Sequence, residues 1–298
     1  MKERLKMDYY KSIQSAVDYM EANLQEAMDI RQIAGQAGFS PFHFQRLFQA
    51  ISGFSVQEYI RKRRLTEAAA VLRNTDTAVL DTALSFQYQS QEAFTRAFEQ
   101  FCGVTPARYR KAEPEPGIPR QGKLDFLKFR ELTIKGEMKM NKPNLVNLDN
   151  TPILGVRYKT TLENERYFAE IPGFYHDFGM NQYFLQIPDK AAPAFSYGIA
   201  CDFQDNGEFS FVVGEATSRL VDALGPDWVS FELPGGLYAE FKIDGTADDT
   251  QNVRKYIYGV WLPNSNYIRR EGPDFEVTDV MSSRYPDRMK MSIYIPLQ

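Results

Sequence analysis

Two stretches of this chain follow one template. Residues Ser40–Gly53 read SPFHFQRLFQAISG, and residues Ser90–Gly103 read SQEAFTRAFEQFCG. Phe44, Leu47, Phe48 and Ile51 fall at i, i+3, i+4 and i+7, a single helical stripe. Phe94, Ala97, Phe98 and Phe101 repeat that stripe 50 residues later. Arg46 and Arg96 stand off the stripe at matching places, and each stretch runs from a serine to a glycine. One offset that carries a core, an arginine, a start and a stop predicts two copies of one helical unit, each turning an arginine-bearing face outward.

What surrounds the two copies narrows the unit further. Ile13, Val17, Met20 and Leu24 are helically spaced, and Asp29 with Gln32 reads as a capping box opening a helix over Ile30–Ala37. Gly38 breaks that helix, and Ser40 with Pro41 starts the next. Helix, glycine turn, helix is the helix-turn-helix arrangement, whose second helix can enter a DNA major groove. A long helix from Ser55 to about Arg73 leads to a short one over Ala78–Phe86, the turn Gln87–Gln89 and the second copy. Thr105 and Pro106 open a last helix.

Charge supports the same side of the chain. The 298 residues carry a net charge of −4, but residues 1–113 hold 15 Lys and Arg against 13 Asp and Glu. The one dense basic run is Arg61-Lys62-Arg63-Arg64, which reads equally as a phosphate contact or as a solvated helix face. Two distant cysteines, Cys102 and Cys201, and two histidines, His43 and His176, offer no metal-ligand cluster, and no residue set calls for a cofactor. The charged start and the lack of a membrane-length apolar run predict a cytoplasmic protein with no membrane partner.

Residues Ser12–Lys111 resemble the DNA-binding domain of the AraC/XylS transcription regulators. The matching residues are Ile33-Ala34, Ala37-Gly38-Phe39-Ser40, Gln45-Arg46-Leu47-Phe48 and Gly53. They continue with Tyr59-Ile60-Arg61 and Arg63, then Ser90, Phe94-Thr95-Arg96, Phe98, Gly103-Val-Thr-Pro and Tyr109-Arg110. The resemblance implies that helices 41–52 and 91–102 are recognition helices, held by the long linker helix so that both enter successive major grooves of promoter DNA. Grooves on one face recur every ~34 Å, and a helix of about 18 residues supplies roughly 27 Å.

Off the buried stripe the first helix shows Phe42, His43, Gln45, Arg46 and Gln49; His43 is expected to face phosphate or solvent, and the other four are the expected reading surface. Gln91, Glu92, Thr95, Arg96 and Glu99 are that of the second. Arginine reads guanine bidentately, glutamine reads adenine, and Phe42 or Thr95 suits a thymine methyl. Arg61 is the expected contribution of the basic run, and RNA polymerase is a further expected partner. Two departures mark the second copy. The family carries glycine in the second turn, where this chain has Gln87; if that position needs positive φ, the cost is about 1 kcal/mol. Glu92 and Glu99 repel phosphate, although Glu92 can accept from cytosine N4. The second head is therefore expected to bind less tightly than the first.

Ala112–Gly122, with three prolines in eleven residues, reads as a stiff linker between a domain at 1–111 and another at 123–298. Lys123–Lys142 is basic with alternating apolar positions, as for a first strand. Beyond it, short strands alternate with two helical segments, and strand, helix, hairpin occurs twice, near 150–216 and 228–296. Asp205-Asn206-Gly207 reads as a hairpin turn. The fold expectation is multidomain: an all-α twin helix-turn-helix unit, then an α+β unit of two pseudo-symmetric strand-helix-strand-strand halves.

Leu233-Pro-Gly-Gly-Leu-Tyr-Ala-Glu-Phe, Trp261-Leu-Pro, Gly272-Pro-Asp-Phe-Glu and Met291-Ser-Ile-Tyr-Ile-Pro resemble the GyrI-like effector-binding domain. That resemblance implies a groove rich in aromatics with a buried glutamate, taking a small aromatic or cationic effector. Glu276 alternates with Phe275 and Val277, so on a strand it projects to the face opposite theirs. Trp261, Tyr238, Tyr258, Trp228 and Tyr175 are the candidate walls. The whole reads as a sequence-specific transcription regulator with no catalytic residues and a small-molecule sensor. The alternatives are a GyrI-like hydrolase with Glu276 as general base and a drug-sequestering protein. His176-Asp177 has no nucleophile placed beside it by the sequence.

Overall fold

The computed structural model describes residues 8–114, 116–128, 142–162, 166–204 and 206–298. These residues fall into two compact units, 8–128 and 142–298.

The first unit is all helix. Tyr9–Ala22 (α1), Ile30–Gln36 (α2) and Pro41–Ser52 (α3) form one helix-turn-helix. Val56–Asn74 (α4) links it to Val79–Ser85 (α5), Gln91–Cys102 (α6) and Pro106–Lys111 (α7). The predicted duplication is realised down to its caps. Ser40 Oγ accepts from His43 N and Ser90 Oγ accepts from Ala93 N. Gly53 and Gly103 close the two helices in the left-handed region, at φ 78° and 75°, each donating to a carbonyl four residues back at 2.8 Å. Only glycine takes that conformation without steric cost, which is why both units stop there. Phe44 and Phe48, like Phe94 and Phe98, are fully buried, each contributing about 1.5–3 kcal/mol. Cys102 joins the second core; burial pushes its thiol up to about 11, so it is a packed group.

The basic run does not form a phosphate strip. Arg63 is buried, its Nε and Nη2 donating to Glu21 at 2.7–3.1 Å and its Nη1 to the carbonyl of Gln121 at 2.8 Å. Arg64 is half-buried and donates to the carbonyls of Leu24 and Glu26, both at 2.7 Å. Lys62 pairs with Glu58 at 2.7 Å and lies over the Phe54 ring. Arg61 is exposed.

Residues 112–114 and 116–128, read above as a spacer followed by a first strand, lie along the helical unit instead. Ile118 packs on the core beneath α6. Gln121 N donates to Thr66, and Leu124 N donates to the Tyr59 hydroxyl. Phe126 N donates to Gln14, and its ring, fully buried, stands 5.4 Å from that of Phe48 in α3. Residues 126–128 form a helical turn, and the rest of the expected strand, 129–141, lies outside the described residues. The physical reason is that an extended proline-rich chain makes no hydrogen bonds of its own. Side chains from α1 and α4 satisfy its backbone instead.

The second unit is one eight-stranded antiparallel sheet with helices on one face. Its strands are Asn144–Leu148 (β1), Thr151–Thr161 (β2), Phe195–Cys201 (β3), Glu208–Ala216 (β4), Trp228–Leu233 (β5), Gly236–Gly245 (β6), Asp274–Asp279 (β7) and Met289–Pro296 (β8). Arg166–Met180 (α8) and Tyr183–Gln186 (α9) follow β2, and Ala247–Tyr256 (α10), extended by a wider turn over Ile257–Trp261, follows β6. The order is β1-β6-β8-β7-β3-β4-β2-β5. That order reads the same from both ends if β1 matches β5, β2 matches β6, β3 matches β7 and β4 matches β8. The expected two halves are present, and their meeting line is the β3–β7 pair. Asp205 of the expected hairpin turn lies outside the described residues; Gly207 takes φ 87°.

Two ladders share one register. β1 pairs with β6 as far as Leu148↔Gly236, and β2 pairs with β5 from Thr151↔Leu233, three residues further on each strand. Residues 144–156 and 228–240 are thus one long ribbon crossing from one half to the other. On one face Leu154, Val156, Phe211 and Val213 pack against Ile171 and Phe178 of α8. On the other, Ile153, Ile199, Val212 and Phe275 share a core with Val146 of β1 and Phe231 of β5. Those strands stand at opposite ends of the order, so the sheet is curled around this core. Among the described residues no helix is long and apolar enough to cross a membrane.

Candidate nucleic-acid interface and effector site

The two recognition helices have the same length and caps but different surroundings. On α6, Gln91, Glu92, Arg96 and Glu99 are exposed and Thr95 is half-buried, as the off-stripe positions predict. Glu92 is held below the usual carboxylate range by its own backbone N–H and by Ser90, so it caps the helix while facing solvent. On α3 the outcome differs. Phe42 and Arg46 are half-buried, with the guanidinium 5.3 Å over the phenyl ring. His43, Gln45 and Gln49 are buried, which corrects the expectation of a wholly open surface. For His43 the reason is local: its ring packs between Tyr9 of α1 and Phe39 of the turn, 5.9 and 4.7 Å away. The Gln45 Nε2 is buried and finds no acceptor among the described residues. An amide donor without a partner is costly to keep and ready to be used.

The turn before α6 has the geometry that glycine would favour. Gln87 takes φ 66°, matching Gly38 at 70° in the turn before α3.

In the second unit, strand alternation puts Glu276 on the helix-bearing face of β7, opposite Gly198 of β3. It is 4% exposed, deep enough that an unpaired charge would be untenable. The Tyr175 hydroxyl of α8 donates to Glu276 Oε1 at 2.7 Å, and the Arg254 guanidinium of α10 pairs with Oε2. One residue from each helix thus meets the carboxylate at the line where the two halves join. Gly198 makes the room: a Cβ there would come within 2.1 Å of the Tyr175 hydroxyl and 2.9 Å of Glu276 Cγ. Burial pushes the Tyr175 phenol well above its ordinary range, so it is a fixed donor.

Of the five expected aromatic walls, Tyr175 alone reaches Glu276. Tyr238 lies on the opposite face, where it meets Phe275 edge-on at 5.4 Å and donates to the carbonyl of Pro234 at 2.5 Å. Tyr258 donates to buried Asp274, whose other oxygen takes Arg269 at 2.7–3.1 Å. Trp261 sits between Phe241 and Tyr267, 5.0 and 6.0 Å from their rings. Trp228 shares the face of Glu276 but lies on β5, edge-on to Tyr183. Tyr238 and Tyr258 are core residues, whereas Trp228 and Trp261 are half-buried. His176 is exposed, and Asp177 accepts from the Tyr158 hydroxyl at 2.6 Å.

Sequence reasoning missed Arg254 and Gly198, since neither carries a local signal that ties it to residue 276. The missed arginine changes the electrostatics. Four carboxylates are buried among the described residues: Glu215, Glu240, Asp274 and Glu276. Each has a partner within the chain: Lys190 for Glu215, Asn144, Ser292 and Tyr294 for Glu240, Arg269 for Asp274, and Arg254 for Glu276. An entering cation would therefore compete with an arginine already in place.

Comparison with known proteins agrees with both halves of this architecture. A family described as integron-associated effector binding protein matches residues 144–297, and a helix-turn-helix domain family matches residues 24–112. The chain is similar to the Right origin-binding protein of Escherichia coli K12, 29% identical over 305 residues covering 98% of this chain and 100% of the relative. It is similar to the Transcriptional regulator Rob of Salmonella typhimurium, 28% identical over 308 residues with the same coverage of each chain, 98% and 100%. It is also similar to the HTH-type transcriptional activator AarP of Providencia stuartii, 38% identical over 95 residues, 32% of this chain and 70% of the relative. With its twin capped helix-turn-helix units ahead of a two-fold curled sheet, the chain belongs to the AraC-type DNA-binding transcription regulators that carry an integron-associated effector-binding domain.

Proposed function

We propose that this chain is a cytoplasmic regulator, and not an enzyme, that reads promoter DNA with α3 and α6 and adjusts that binding to a small-molecule effector. The observation that carries the reading is the pair of identically capped helices at the two ends of one 19-residue linker helix. That helix is about 28 Å long, the order of one groove repeat. In this reading Arg46, Gln45, Gln49 and Phe42 contact bases in one groove, and Arg96, Gln91, Glu92 and Thr95 contact the next. Arg61 neutralises backbone phosphate. The exposed Glu92 and Glu99 support a weaker second head. RNA polymerase is the further partner, a reading supported by the relatives named as a regulator and an activator.

The effector binds on the helix-bearing face at Glu276, Tyr175 and Arg254. A hydrolase reading is not favoured, because Glu276 is already ion-paired and hydrogen-bonded and so is poorly placed to act as a base.

The test is binding to a duplex selected from a random pool by the wild-type chain. Arg46→Ala is expected to cost about 1–3 kcal/mol on that duplex and to relax selectivity at the base it reads. Equal binding of wild type to selected and scrambled duplexes at 150 mM salt would sink the DNA reading. For the sensor, compounds that raise the thermal midpoint are screened, and a hit should shift DNA affinity in wild type. In Glu276→Gln that shift should fall by about tenfold in effector concentration, the weight of one lost charged contact. A hit that stabilises both chains equally counts against Glu276 as its site.

A further inference from the structure

Both helix-turn-helix turns place one residue in the left-handed region, and only the first uses glycine there. In the second the residue is Gln87, and its side chain crosses to the first helix-turn-helix: Nε2 donates to the carbonyl of Gln25 at 2.5 Å. Gln25 belongs to the loop between α1 and α2, 62 residues away. The carbonyls on either side of it, Leu24 and Glu26, accept from Arg64 of the linker helix. Three successive carbonyls of one loop are thus taken by the linker and by the turn that launches the second recognition helix. Hydrophobic packing is non-directional and leaves two units free to roll on each other. Hydrogen bonds to consecutive carbonyls fix an angle, because each has its own direction.

We propose that Gln87, with Arg64, is a latch that sets the angle between the two DNA-reading helices, so that Gln87 is a positioning residue for two-groove binding. It rests on the DNA reading above only for its second readout. A glycine at 87 would suit the backbone better, and the chain keeps a residue whose gain lies in its reach across to the first unit. A rigid spacing matters because the second contact becomes intramolecular only if both helices meet their grooves together.

The experiment uses the full chain with Cys102 and Cys201 replaced by serine, and nitroxide labels at the exposed positions Gln36 and Gln100. Pulsed electron resonance is expected to give one narrow distance for this parent. Gln87→Gly should broaden or shift that distribution while leaving the thermal midpoint equal or higher, which separates positioning from folding. Gln87→Lys, which restores a donor of similar reach, should narrow it again. On a duplex selected by the wild-type chain, Gln87→Gly should lose about fivefold in affinity, and nothing when either half-site is scrambled. An unchanged distance distribution in Gln87→Gly overturns the proposal. So does an equal loss on intact and half-scrambled duplexes. Failure of the wild type to select any duplex would remove the DNA reading and leave the distance measurement to decide the latch.

Discussion

Arg63→Ala is expected to lower the stability of the helical unit by about 3–5 kcal/mol, the usual cost of removing one partner from a buried ion pair. Arg63 and Glu21 expose only 9% and 13% of their side chains, and the guanidinium fork meets both carboxylate oxygens. The Glu21 bond holds Arg63 firmly in its charged form, outweighing the opposing effect of burial. Without the arginine, Glu21 keeps its carboxylate beside the buried Tyr59 hydroxyl, which donates to it at 2.7 Å but brings no charge. The Gln121 carbonyl and Glu67 lose their donor as well. Arg63→Lys should fall between, since an ammonium cannot reproduce the fork. Urea unfolding followed by circular dichroism reads this as an earlier first transition with the transition of the sheet unit unmoved. A loss under 1 kcal/mol would return Arg63 to the class of solvated surface charges.

Arg254→Ala should cost the sheet unit a similar amount, about 3–5 kcal/mol, and for an asymmetric reason. Glu276 exposes 5% of its side chain and Arg254 16%. The carboxylate is fixed on the sheet and almost wholly covered, whereas the arginine extends from a helix and is the more exposed partner. Removing the arginine therefore strands a charge, and Glu276→Gln does not, so the latter should cost no more than about 1–2 kcal/mol. The double substitution Arg254→Met with Glu276→Met should recover most of the loss, because a buried pair replaced by apolar groups of similar size is often neutral. Thermal unfolding of the three variants decides it. If the double variant is as unstable as Arg254→Ala, packing and not the stranded charge is the cause.

The sequence carries the parts of this protein that local rules govern. Ser40, Ser90, Gly53 and Gly103 announce helix ends because a cap acts within one turn of itself, and all four are found where expected. Glu276 could be placed on a face because alternation is a two-residue rule. What escaped is set by distant partners. No periodicity separates exposed Arg61 from buried Arg63, since both sit in one basic run and only Glu21, 42 residues away, distinguishes them. The proline-rich stretch carries no local signal that tells a chain lying on a surface from one spanning a gap, and Phe126 with Gln14 makes it lie down. Arg254 sits on a helix whose pattern says nothing of the strand it faces. Tyr238 and Tyr258 suit a pocket wall by type, but a core recruits the same residues.

The long ribbon of residues 144–156 with 228–240 has a consequence for how such a unit holds together. Each half lends its opening strand to the other: β1 completes the sheet of β6, β7 and β8, and β5 completes that of β2, β3 and β4. This is the arrangement of a strand-swapped homodimer, written here as a single polypeptide. Neither half has a finished edge of its own, so the loop 217–227 that joins them serves as a tether between mutually dependent pieces. A movement that parts the halves at Glu276 must also bend the shared ribbon, and the restoring force of that ribbon would return the pieces to register.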